Sequence, residues 1–364
     1  MSNENLIKAQ AGKNDEFYTQ YRDIEVEMKA YLEYDPNVFR GKTILLLCDD
    51  PERSNFTKYF ASEFETLGLK KLISTCYVPD YKRPVCGGLS SDYPLSTPYP
   101  DGDELKPRGK ILILDSDDTS NAHDLHWEYL QGDGDFRSDE ITALRDEADM
   151  VITNPPFSLF REFLAWLTGA DKWFVIIGNI NAITYKGFFS LIMENKVWLG
   201  ATIHGGDREF EVPQEYPLSA AGWRIDESGR KFVRVKGVRW FTNIGHGRQH
   251  EPLALMSMAD NLRYGRHKRL KEKDAYRRYD NYDAIEVPFT DAIPSDYDGV
   301  MGVPVSWLDK YCPGQFEILG ITENPATTGN LCLKDYLIPG QPNYSRPYIN
   351  GRCLYSRVLI RRKS

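Results

Sequence analysis

Several features that would settle the class of a protein at once are scarce here. The 364 residues include six cysteines, Cys48, Cys76, Cys86, Cys312, Cys332 and Cys353, with no Cys-x-x-Cys pair and no histidines at ligand spacing. That pattern argues against a disulfide framework and against a zinc module, so the thiols read as reduced and structural and no metal site is expected. No apolar run approaches the span of a bilayer, and the polar start Met1-Ser2-Asn3-Glu4-Asn5 lacks a signal-peptide core. A cytoplasmic protein without membrane contact is the expectation. Positive charge is also in short supply, with 45 Lys and Arg against 53 Asp and Glu for a net charge of -8. Taken alone, that balance disfavours a nucleic-acid binder, because phosphate neutralisation needs cations.

What the sequence does have is a strand cut short. Met150-Val151-Ile152-Thr153 suits a buried strand and runs straight into Asn154-Pro155-Pro156-Phe157, where two prolines cannot continue a sheet. Such a turn presents its carbonyls and side chains at the carboxyl edge, where open α/β folds keep their ligands. The Asn154 amide oxygen and the Pro155 carbonyl can both accept from one exocyclic amino group, while Phe157 offers a face to a planar base. Ser158 is expected to cap a following helix that carries Phe160, Phe163, Leu164 and Leu167 on one face. A strand ending in an ordinary Pro-Pro loop is the plain alternative.

The flanking chain alternates strands with helices. Lys42 to Leu47 reads as a buried strand that ends at Cys48-Asp49-Asp50-Pro51, and Ser54 then caps a helix bearing Phe56, Tyr59, Phe60 and Phe64 on one face. Asp49 and Asp50 are candidates for holding an α-ammonium group, against a reading as solvated turn acids. No Gly-x-Gly occurs in this turn. Lys71 to Tyr77 is a second strand, ending with Thr75 and Cys76 where dinucleotide sites carry an acid for the ribose. Further strands are expected at 110–115 and 173–177, with a long loop between Pro79 and Pro107. In Gly132-Asp133-Gly134-Asp135-Phe136, Asp135 can accept an adenine amino group and Phe136 can stack on its ring. Asn179 and Asn181 leave the end of the 173–177 strand as possible lining residues. The alternation over 42–199 is that of a doubly wound sheet.

Asn-Pro-Pro-Phe resembles the catalytic motif of class I S-adenosylmethionine-dependent amino-methyltransferases. The wider chain is similar to the EcoRI-type adenine-specific (N6) DNA methyltransferases. That likeness runs from Asn14-Asp15-Glu16-Phe17-Tyr18-Thr19 to Tyr279-Asp280-Asn281-Tyr282-Asp283-Ala284-Ile285 and Asp296-Tyr297-Asp298-Gly299-Val300-Met301-Gly302-Val303-Pro304. The resemblance implies an α/β, Rossmann-like methyltransferase sheet over residues 1–200. Residues 201–364 then form a C-terminal target-recognition region, part of which returns to the core. It also implies S-adenosylmethionine as cofactor, with Phe17, Tyr18 and Thr19 near its methionine end, and double-stranded DNA as partner. A monomer is expected, together with a cognate restriction endonuclease that makes no direct contact.

Beyond residue 200 the texture changes to glycines, isolated aromatics and short strands interleaved with Arg224, Arg230, Arg234 and Arg239. A dense basic group follows at Arg263, Arg266, Lys268, Arg269, Lys271, Arg277 and Arg278. It is a candidate footprint for a phosphate backbone, set against a reading as a solvated face. The alternatives to adenine-N6 methylation are another amino group (cytosine N4, RNA adenine or protein glutamine) or a DNA-binding protein with a disabled methyltransferase core.

Overall fold

The computed structural model describes residues 17–47, 50–78, 108–116, 126–185, 187–212, 214, 216, 222–267, 270, 276–323, 332–340 and 346–363. The chain forms two compact units, one of residues 1–178 with 207–236 and the other of residues 179–206 with 237–364. The division is therefore interleaved, with residues 207–236 in the first unit.

In the first unit, six strands lie side by side in the order β4-β3-β2-β1-β5-β6. They are β1 (Thr43–Leu46), β2 (Lys71–Thr75), β3 (Lys110–Asp115), β4 (Trp127–Tyr129), β5 (Met150–Thr153) and β6 (Trp173–Asn179). The pairs β1 with β2, β1 with β5 and β5 with β6 are parallel. Every residue of β1 and β5 is buried, as expected of strands covered on both faces. The strand at 110–115 departs from a wholly parallel doubly wound sheet: β3 runs antiparallel to β2 and β4 antiparallel to β3. Lys110, at the amino end of β3, thereby lies beside the carboxyl end of β2.

The helices follow their apolar spacing. In α1 (Tyr21–Tyr34), Ile24, Met28 and Tyr31 are buried one turn apart, and Tyr31 donates to the buried Glu27 carboxylate at 2.9 Å. Ser54 caps α2 (Asn55–Ser62) by accepting from Thr57 N, and a short α3 (Phe64–Leu67) closes on Gly68. Ser138 caps α4 (Asp139–Glu147). The expected cap at Ser158 does not form: α5 (Phe160–Thr168) starts from Leu159 without a side-chain cap, because residues 157–159 make a tight turn in which Leu159 N donates to Pro156 O. Its buried face is Phe160, Phe163, Leu164 and Leu167, as its spacing requires. The returning segment builds a three-stranded sheet in the order β8-β10-β9, from β8 (Asp207–Val212), β9 (Trp223–Ile225) and β10 (Lys231–Lys236).

The second unit pairs β7 (Trp198–Leu199) with β11 (Val238–Thr242) and carries α6 (Phe188–Met193) and α7 (Met258–Tyr264). Its own sheet has the order β12-β13-β17-β14. Those strands are β12 (Ile285–Glu286), β13 (Met301–Pro304), β14 (Phe316–Ile321) and β17 (Arg357–Arg362). A small hairpin joins β15 (Tyr348–Ile349) to β16 (Arg352–Cys353). The two strings that most resemble the family meet in this core. Gly302 lets the Tyr279 ring lie where a Cβ would fall 2.1 Å from its hydroxyl, and Tyr279 donates to the buried Glu286, which Arg357 also holds at 2.7 Å. No helix among the described residues is long and apolar enough to cross a membrane.

Candidate active site

Asn154 sits immediately after β5 and is 6% exposed. Its Nδ2 donates to the Phe17 carbonyl at 2.6 Å. A carbonyl can only accept, so this bond fixes which way round the amide lies and turns Oδ1 away from Phe17. Oδ1 is buried and meets no hydrogen-bond partner among the described residues. Pro155 is buried, and its carbonyl takes no hydrogen bond from a described residue. Two acceptors thus stand without donors at the end of one strand.

The Phe157 ring is half-buried. Its centroid lies 5.6 Å from that of Phe17 and 6.5 Å from that of Phe210, the latter edge-on at 89°. Phe17 in turn contacts Phe210 at 5.7 Å and Tyr216 at 6.0 Å. Tyr18 is bridged to β8 in both directions, with Tyr18 N to Glu211 O at 2.9 Å and Glu211 N to Tyr18 O at 3.2 Å. Phe210 and Tyr216 were missed in the sequence because they lie beyond the change of texture at residue 200. The alternation in Asp207-Arg208-Glu209-Phe210-Glu211-Val212 was the available signal.

Three further buried polar atoms have no partner among the described residues: Thr19 Oγ1, Gln20 Nε2 and, at the end of β2, Thr75 Oγ1. Thr19 is held through its carbonyl, which accepts from Asn55 Nδ2 at 2.8 Å. Such groups are costly unless something supplies the missing bonds. Donors and acceptors in want of partners suit a ligand rich in amino, carboxylate and hydroxyl groups.

Of the expected cofactor acids, Asp49 lies outside the described residues. Asp50 Oδ2 is 3.3 Å from Lys110 Nζ, and its Oδ1 accepts from Glu52 N at 3.0 Å. Lys110 also bonds Glu52 at 2.5 Å and lies 4.3 Å from the Trp127 ring, whose Nε1 donates to Glu52 at 2.7 Å. Burial opposes the charge on Lys110, but the bond to Glu52 and the field of Asp50 outweigh it and raise its pKa. Burial likewise opposes the charge of Glu52, and its bonds from Lys110 and Trp127 prevail, so its pKa is lowered. Lys110 is a member of this group that the sequence did not disclose.

Asp135 is gripped by Arg137 at 2.9 and 2.6 Å, and that bond holds its carboxyl below the usual range. Its loop is fixed by Val78 N donating to Asp133 O at 2.8 Å. Phe136, expected as a stacking ring, lies next in this loop. It is 6% exposed and packs against Phe163 and Trp166 at 5.1 and 5.6 Å, so the core of α4 and α5 engages it.

In the second unit, Asn179 accepts from Asn181 N at 3.0 Å and caps a 3-10 turn. The basic group is partly neutralised: Arg266 pairs with Asp291 at 2.6 Å and Arg278 pairs with Asp283. Arg263 lies over Tyr264, and Arg277 is half-buried. Lys268, Arg269 and Lys271 lie outside the described residues. Arg224, Arg230 and Arg234 of the first unit are paired with Glu209, Asp226, Glu211 or Glu209 again.

A family model described as adenine-specific methyltransferase EcoRI matches residues 5–363. The chain belongs to this EcoRI-type methyltransferase family. Among its curated relatives is the type II methyltransferase M.EcoRI of Escherichia coli, 41% identical over 366 residues covering 100% of this chain and 97% of that protein. M.MpnI of Mycoplasma pneumoniae is 32% identical over 360 residues, covering 98% of this chain and 97% of its own. M.MgeORF184P of Mycoplasma genitalium is 31% identical, with 98% of each chain covered. No solved structure matches. Membership makes the chain a DNA methyltransferase.

Proposed function

We propose that this methyltransferase transfers a methyl group from S-adenosylmethionine to N6 of an adenine flipped out of double-stranded DNA. The observation that carries the reading is the Asn154 amide, whose nitrogen is tied to Phe17 O while its buried oxygen has no described partner. An exocyclic amine brings two N–H groups and a lone pair partly conjugated with its ring. Asn154 Oδ1 and Pro155 O accept hydrogen bonds from the two N–H groups, draw the lone pair out of conjugation and orient it, while Phe157 covers a face of the base. An adenine inside a duplex cannot reach such a recess, so extrusion is part of the reaction.

Thr19, with its buried hydroxyl, and the Phe17 and Tyr18 backbone would hold the methionine end of the cofactor, with Asp49 or Asp50 near its ammonium and Asp135 near its adenine. Bound there, the cofactor would supply a methyl group on a sulfonium, open to in-line displacement. The chain's own contribution is positioning and electrostatics. In this reading the first unit carries catalysis and the second carries most of the target recognition. The enzyme works as a monomer, with Arg263 and Arg277 among its phosphate contacts, and a cognate restriction endonuclease acts without touching it.

Asn154→Ala should lower methyl transfer by about 10²–10³-fold, the scale of losing one preorganised polar group, and Phe157→Ala by less. Cofactor affinity by titration calorimetry should survive in both. A tritiated-methyl assay with unchanged turnover in Asn154→Ala would remove the mechanism. Mass spectrometry of nucleosides from the product separates adenine N6 from cytosine N4 and from an unmodified duplex.

A further inference from the structure

The string Tyr279-Asp280-Asn281-Tyr282-Asp283 has no part in the chemistry above, yet two of its side chains do something specific. The Asp280 carboxylate accepts both amides of the turn between β15 and β16, from Asn350 N at 3.1 Å and from Gly351 N at 2.7 Å. Asn281 Nδ2 donates to Arg346 O at 2.9 Å, and its Oδ1 accepts from Tyr348 N at 3.0 Å. A hairpin with two cross-strand pairs is marginal in water on its own. Here the protein commits two partly or fully buried side chains to holding one still.

The turn itself is a two-residue Asn-Gly turn with positive φ at both positions, 51° and 73°, the form that matches strand twist. Asn350, Gly351, Arg352 and Cys353 are exposed, and Tyr355 just beyond is 83% exposed. Residues 336–364 hold five arginines and one lysine with no Asp or Glu, in a chain whose net charge is -8. Arg357 and Arg362 are engaged by Glu286 and Asp298. Arg352 makes no ion pair with any described residue. A rigid two-stranded ribbon with an uncommitted arginine beside its tip suits the major groove of a duplex, where Arg pairs bidentately with guanine and Asn with adenine. The turn's own preference accounts for Asn350, whereas the exposed Arg352 and the anchoring by Asp280 and Asn281 have no such local cause.

We propose that the Tyr348–Cys353 hairpin is a base-reading element for duplex DNA, with Arg352 as its contacting side chain and Asp280 and Asn281 as the residues that position it. This rests on the reading of the chain as acting on double-stranded DNA.

The test expresses wild type, Arg352→Ala and Asp280→Ala in a host without adenine methylation and maps modified bases by long-read sequencing. The purified proteins are then titrated with duplexes carrying the mapped site. Arg352→Ala should weaken specific binding about tenfold or more and relax the mapped motif at one position, with S-adenosylmethionine affinity unchanged. Asp280→Ala should raise KM for DNA rather than lower kcat, and Asp280→Asn should restore part of the loss, which a role in general stability would not produce. If Asp280→Ala does not fold, Arg352→Ala decides, because its side chain is exposed. Wild-type motif and affinity in Arg352→Ala overturn the hairpin's role and leave the methyltransferase reading standing. A wild-type enzyme that modifies no duplex position overturns both.

Discussion

Thr19 shows how a single unmet atom separates function from stability. Its hydroxyl is buried without a described partner, and an unsatisfied buried hydroxyl costs roughly 1–3 kcal/mol. Valine has the same shape and no hydroxyl. Thr19→Val is therefore expected to leave the thermal midpoint of the ligand-free protein unchanged or raised. Its affinity for S-adenosylmethionine should fall about tenfold, the scale of one hydrogen bond to a charged or strongly polar ligand. Melting curves and calorimetry check the two halves, and a lower midpoint with unchanged affinity would make the hydroxyl structural. At this scale the end of β5 was legible, because two prolines cannot continue a sheet and the strand does stop at Thr153, just before Asn154 and Pro155. A Gly-Asp-Phe string does not reveal that the Phe136 ring packs against Phe163. Phe210 and Tyr216 were hidden by distance along the chain.

Elements repeat the lesson with different physics. Strands β1, β2, β5 and β6 are apolar runs between turn signals, and the helices after β1 and β5 carry their apolar stripes, so all were readable from spacing. The direction of β3 was not, because orientation depends on the connection before it and on pairing with β2 rather than on local pattern. Which later segment joins the first unit was not readable from spacing either, since Tyr18 and Glu211 meet across a long stretch of sequence. The loop at Gly132–Asp135 offers a direct test of an element held by one small residue. Gly134 has φ 83°, and a Cβ there would lie 2.1 Å from the Cys76 carbonyl. Gly134→Ala is expected to cost about 2–4 kcal/mol, a strained backbone added to a steric clash, and to weaken cofactor binding by displacing Asp135. Denaturant unfolding and calorimetry measure both. A variant of wild-type stability would show that the loop tolerates the displacement.

For the molecule as a whole, acid stability hinges on buried titratable groups of the second unit. His246 is buried, and that burial pushes its pKa down to about 4, although its ring nitrogen bonds the Leu199 carbonyl at 2.9 Å. In the unfolded chain a histidine titrates near 6.5. The unfolded state therefore takes up a proton first as the pH falls. Stability contributed by neutral His246 is complete above about pH 6.5 and is lost progressively down to about pH 4, on the order of 3 kcal/mol in all. Asp309 adds to the trend at lower pH. Burial opposes its charge, but His204 and the bidentate Arg239, at 2.7 and 2.9 Å, outweigh it and hold its carboxyl below the ordinary range. Its contribution is present above the unfolded carboxylate value and disappears as the pH falls through the folded one. Urea unfolding at pH 7 and at pH 4.5 should show a marked loss in wild type. In His246→Gln, which keeps a donor for Leu199 O without a titrating ring, the slope between these pH values should flatten. Equal slopes in the two proteins would assign the acid sensitivity to carboxylates alone, and a steeper slope in the variant would reverse the sign derived for His246.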